Sequence, residues 1–134
     1  MPRNFIVFIL LGLTAVSQAK ADCPCTVGVP LDQSQITSLL NGNTVCAILG
    51  SERWQEWHSG GAVFELGNNA AGDNVGTWST SPDATVTYSY GTGGSGGTYK
   101  YSVCQQGQNY DFCGATFGGK NVTNALIKPG KGGC

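Results

Sequence analysis

The 134-residue sequence is short of the residues most chemistry uses: one His, one Met, and only 7 Lys+Arg beside 8 Asp+Glu. A single histidine excludes a His-rich zinc site and leaves few general bases. So few cations exclude the clustered Lys and Arg that nucleic acid or an anionic membrane surface demands. Long apolar runs are missing as well. The longest, Phe5 to Leu13 with Gly12 inside it, falls short of the roughly 20 residues of a membrane-spanning helix. No Gly-x-Ser-x-Gly stands in a strand-turn-helix setting. The glycine-rich stretch Gly91 to Gly97 lies between two strand patterns and precedes no helix, so it is neither a nucleophile elbow nor a phosphate cradle.

What is present begins with a leader. Arg3, the apolar run and the small-x-small triplet Ala19-Lys20-Ala21 read as a secretory signal peptide over residues 1–21, cleaved after Ala21. A bacterial lipid anchor needs a small residue before Cys23, and Asp22 stands there. A soluble secreted or periplasmic product is therefore expected. Its 113 residues make one domain with five basic residues against eight acids, a formal charge of −3. Cys23, Cys25, Cys46, Cys104, Cys113 and Cys134 all lie in it, an even set that reads as a disulfide framework with 15 possible pairings. Cys23 and Cys25 stand too close across Pro24 to pair with each other, so each is expected to reach a different distant partner. The same Cys-Pro-Cys is one residue too short for a thioredoxin-type pair and lacks further soft ligands, so structural bridges are preferred to redox or metal chemistry.

A coarse reading gives a mainly β domain over residues 22–114 with one short helix near 32–40. Asp32 and Gln35 form a capping-box pattern ahead of Ile36, Leu39 and Leu40, and Asn41-Gly42 supplies a stop. From Thr44 the period changes to two. Runs at 45–49, 52–57, 62–66 and 75–79 are strands; Val86, Tyr88 and Tyr90 then alternate with Thr and Ser, as do Tyr99, Tyr101 and Val103. Gly91 to Gly97 joins those two as a loose hairpin loop, and Tyr110 to Cys113 adds a short strand. About six strands predict an antiparallel meander curling into a small barrel or sandwich, stapled by disulfides. Residues 115–134, with Gly118, Gly119, Pro129-Gly130, Gly132 and Gly133, read as a glycine-rich tail that frays unless Cys134 pins it. Asn121-Val122-Thr123 is a glycosylation sequon that matters only in a eukaryotic source.

Leu40 to Cys46, Trp54-Gln55-Glu56-Trp57-His58 followed by Gly60-Gly61, Val75-Gly76-Thr77-Trp78-Ser79, Val86-Thr87-Tyr88, Tyr99-Lys100-Tyr101 and Phe112-Cys113-Gly114 together resemble a family of small exported proteobacterial proteins of unknown function. The likeness spans about residues 39 to 114. It implies bacterial export and a shared fold, carries no activity, and implies a Cys46–Cys113 bridge; Cys104 with Cys113 across a short hairpin is the local alternative. Gly76-Thr77-Trp78 also resembles the Gly-x-Trp of lipocalin-type barrels, in which glycine admits a neighbouring backbone and tryptophan plugs a barrel end.

Candidate binding residues are Trp54, Glu56, Trp57 and His58. In an extended strand Trp54, Glu56 and His58 share a face, placing a carboxylate and an imidazole about 7 Å apart. That pair suits general acid/base work in a small hydrolase; the plainer alternative is a solvated edge beside Gly60-Gly61. If the tyrosines at 88, 90, 99 and 101 point inward, Trp57 remains as the exposed aromatic. The expectation is a non-catalytic exported binding or inhibitor-like domain, with a structural or cell-surface interaction module as a third reading. No catalytic residue, cofactor or metal is assigned, and the expected partner is an extracytoplasmic protein or a glycan.

Overall fold

A computed structural model of the protein describes residues 23–67 and 72–134. The predicted signal peptide lies outside the described residues. Strand β1 (Val29–Pro30) leads into helix α1 (Gln33–Leu40), followed by β2 (Asn43–Leu49), β3 (Glu52–Ser59), β4 (Ala62–Glu65), β5 (Asp73–Ser81), β6 (Thr85–Tyr90), β7 (Gly97–Gln106), β8 (Asn109–Cys113) and β9 (Val122–Pro129). From β2 onward each strand pairs antiparallel with the next, and β9 returns to pair with β2. The result is a closed eight-stranded up-and-down barrel. The short β1 lies beside the end of β7 beyond the stretch that pairs with β6.

The helix forms where its caps predict. Asp32 Oδ1 accepts from Gln35 N at 2.8 Å, and Gln35 Oε1 accepts from Asp32 N at 2.9 Å, satisfying two donors that an uncapped end would leave bare. An eight-residue helix is marginal alone. Here Ile36 and Leu40 are fully buried against the barrel, and Thr37 Oγ1 meets Thr80 Oγ1 at 2.7 Å. Thr80 lies near the end of β5, so α1 covers one end of the barrel.

Inside, Val45, Val63, Val86, Tyr88, Val103, Phe112 and Ala125 are essentially inaccessible. Trp78 sits among them near the covered end, buried and without a hydrogen-bond partner for its indole nitrogen. Two residues earlier, a Cβ on Gly76 would lie 2.2 Å from the Ser89 carbonyl oxygen. The Gly-x-Trp element thus does what its sequence suggested: the glycine lets β6 approach and the tryptophan fills the barrel end.

Two expectations are corrected. Residues 115–134 are not a loose tail, because 122–129 supply the strand that closes the barrel, with Val122 and Ala125 buried. The bridges are Cys23–Cys104, Cys25–Cys113 and Cys46–Cys134, so neither Cys46–Cys113 nor Cys104–Cys113 forms. The reason is register: Cys46 sits opposite Leu126 on β9, and the chain beyond β9 brings Cys134 back along β2. Cys23 and Cys25 do reach separate partners, strapping the N-terminal segment over the adjacent strands β7 and β8.

Candidate functional site

Strand β3 presents Trp54, Glu56 and His58 to the barrel interior, as alternation predicts. Trp57 points the other way. It packs on Phe64, its cross-strand partner, with ring centroids 5.0 Å apart, and Lys131 Nζ lies 5.1 Å from its ring. It is half-buried on the outer wall and shares no surface with Trp54 or Glu56.

His58 is wholly enclosed, which corrects the solvated-edge alternative. Its Nδ1 lies 3.1 Å from the Glu56 carbonyl oxygen and its Nε2 lies 2.9 Å from the Tyr88 hydroxyl. A carbonyl only accepts, so Nδ1 carries the proton and Nε2 accepts from Tyr88. Trp78 and Tyr88 both meet the imidazole edge-on, with centroids 5.5 Å away. Burial disfavours the imidazolium and lowers its pKa to about 4, against the opposing pull of the Glu56 and Asn43 carbonyls.

Glu56 is the next inward residue toward the other end of the barrel. The Tyr90 hydroxyl reaches both carboxylate oxygens, at 2.9 and 3.0 Å. Burial raises the carboxyl pKa to about 7; hydrogen bonds from Tyr90 and Trp54 pull it down, and the charge of Glu65 adds to the rise. Tyr88 and Tyr90 are held well above the ordinary phenol range, chiefly by burial, so both remain O–H donors. Two acid-to-tyrosine and imidazole-to-tyrosine rungs therefore lie one above the other, and the two phenol rings stack at 6.0 Å with planes 8° apart.

Above Glu56 the barrel opens into a cavity of about 930 Å³. Its walls come from one end of every strand that contributes: Leu49 closes β2, Glu65 closes β4, Tyr90 closes β6, Tyr99 lies near the start of β7 and Val122 begins β9. Because neighbouring strands run in opposite directions, these ends coincide in space, opposite the end that α1 covers. Trp54 and Tyr101 form further wall, while Gly96 and Gly118 to Lys120 belong to the surrounding turns. The Gly91–Gly97 connection is folded back over this rim by a turn at Thr92–Gly94 and by Gly96 N donating to Tyr90 O at 2.8 Å. It packs so closely that a Cβ on Gly97 would meet the Tyr99 hydroxyl at 2.8 Å.

Of the four candidate residues, the fold brings Trp54 and Glu56 to the cavity, buries His58 beneath it and sends Trp57 outside. Glu65 went unnoticed in the sequence although it stands directly opposite Glu56 in the β3–β4 register. That it shares a face with Val63, opposite Ala62, Phe64 and Leu66, was legible, but which of the two faces of β4 turned inward was not. Among the described residues no three His, Cys, Asp or Glu side chains are grouped to hold a metal ion, and no helix is long and apolar enough to cross a membrane. No protein-family model, curated protein or solved structure matches the chain.

Proposed function

We propose that the protein is an exported, non-catalytic binding domain that holds one small molecule in the open mouth of its barrel. One observation carries the reading: the barrel is plugged at one end by α1 and Trp78, while the other holds a cavity of about 930 Å³ walled by Trp54, Tyr90, Tyr99 and Tyr101. That volume lies within the range of about 300–1,000 Å³ of small-molecule sites, and an eight-stranded barrel is just wide enough for one small ligand. Export is supported by the leader-like residues 1–21 and by three disulfides that leave no free cysteine among the described residues. The absence of catalysis is supported by the separation of the two candidate groups. Glu56 lines the cavity, whereas both ring nitrogens of His58 are engaged below it.

The test is a fluorescence and native mass-spectrometry screen of the oxidised protein against small amines, acids, alcohols and saccharides. Saturable one-to-one binding is expected, weakened about tenfold or more by Trp54→Ala and by Tyr99→Ala. Binding that ignores both substitutions, or no binding from any chemical class, would overturn the proposal. So would turnover of a bound ester, amide or glycoside.

A further inference from the structure

Resting on that reading of the mouth as a binding site, we infer that its ligand is a small organic cation, seated with its positive centre against the Glu56 and Glu65 carboxylates among the cavity's aromatic rings. Four observations converge on this class.

Glu56 and Glu65 are direct cross-strand partners on the inner face, so two carboxyl groups stand side by side on one wall and the charge of Glu65 is felt by Glu56. Both contribute to the cavity lining. Next, hydrogen-bonding capacity at the floor is one-sided. The single hydroxyl proton of Tyr90 is committed to Glu56, which it reaches at both carboxylate oxygens. What Glu56 itself leaves for a ligand is oxygen lone pairs, which suit a group that donates.

Charge is also sorted by depth. Glu56 is 4% exposed at the floor, while the basic residues of the lining, Arg53 and Lys120, are exposed at the rim. An anion held by the rim would have to push its remaining bulk onto a buried carboxyl group. Finally, the walls are aromatic and roomy. Ring faces attract cations, and a space of this size fits an organic body rather than a bare metal ion.

Binding is coupled to the proton on Glu56. The groups that face it are Tyr88 and Tyr90 from β6, Tyr101 from β7 and Glu65 from β4, with Glu52, Arg53 and Lys120 at the rim. The tyrosines stay neutral, and the Glu56 carboxyl has its pKa raised by burial to about 7. A cation binds the ionised form, and its affinity therefore rises between pH 5.5 and pH 8, by about thirtyfold if Glu56 alone governs it.

The experiment is calorimetric titration of the oxidised full protein with tryptamine and benzyltrimethylammonium, beside the neutral tryptophol and the anionic indole-3-propionate. The cations are expected to bind at least tenfold more tightly than either isostere, more tightly at pH 8 than at pH 5.5, and with proton release at pH 6. Glu56→Gln is expected to remove the preference and its pH dependence, with circular dichroism showing the fold retained. Equal or tighter binding of tryptophol or indole-3-propionate overturns the inference, as does a cation preference that survives Glu56→Gln. In that event a Trp54-dependent complex still forms, so the binding reading stands while the ligand class falls. If no probe binds but the wider screen finds a ligand, a neutral or anionic ligand overturns the class and a Glu56-dependent cation supports it. No binding anywhere removes both.

Discussion

Glu56 and His58 are two residues apart on one strand, point the same way, and each takes a tyrosine of β6 as partner. What differs is the covering. Helix α1 and Trp78 close the barrel around His58, so every polar atom of the imidazole is satisfied within the protein and nothing can reach it. Among the described residues no helix or strand covers Glu56; above it lie the turn that carries Gly96 and the turn before β9, and between them the cavity. Burial drives both groups toward their neutral forms, which moves their pKa values in opposite directions. In a barrel this small, which ionisable residue faces the cavity is thus decided by what seals each end, not by residue type.

The largest perturbation of that contrast is Trp78→Ala. Removing the buried indole from the sealed end is expected to cost about 3–5 kcal/mol in denaturant unfolding of the oxidised protein. Ligand affinity of the folded fraction should stay within about twofold. An equal loss of affinity would mean that the two ends are one unit and that the contrast is mistaken.

Next in size is a pair of opposed pH profiles. For Glu56 the folded pKa, about 7, lies above its ordinary 4.5, so the folded state binds the extra proton in between, and stability from this group is lost as pH rises through that window. For His58 the folded pKa, about 4, lies below its ordinary 6.5, so stability is lost as pH falls through that window. Each displacement is worth roughly 3 kcal/mol, and between about pH 4.5 and 6.5 the two cancel. The wild type should therefore show a nearly flat profile there in guanidinium titrations. Glu56→Gln should expose a decline toward acid, and His58→Gln a decline toward pH 7. If the two variants slope the same way, one of the assignments is wrong.

The smallest effect separates the inner and outer faces of β3. Trp57→Ala removes an aromatic pair on the outer wall and should lower stability by about 1–2 kcal/mol without changing ligand affinity. A tenfold weaker complex would extend the site over the rim.

Much of this was legible in the chain. The capping box at Asp32 and Gln35, the shared face of Trp54, Glu56 and His58 and the close approach at Gly76 are local features, and local sterics decide them. Strand β9 was not legible for a physical reason. Asn124 takes a positive φ of 58°, and pairing with β8 shifts between Tyr110 and Phe112. The buried Val122 and Ala125 are thereby three residues apart, which hides the two-residue period that marks a strand. Without β9 the path of Cys134 was unknown, and with it the pairing of Cys46. Glu65 escaped because Phe64, the bulkier residue beside it, suggests an inward face, yet Phe64 joins Trp57 outside.

The three bridges span 81, 88 and 88 residues, and their arrangement carries one more consequence. Cys23, Cys25 and Cys46 all precede residue 47, and their partners all follow residue 103. A single proteolytic cut anywhere between Cys46 and Cys104 therefore yields two fragments still joined by three covalent links. A nicked molecule would run as an intact chain until reduced, and the barrel would keep both halves in register for as long as its strands stay paired.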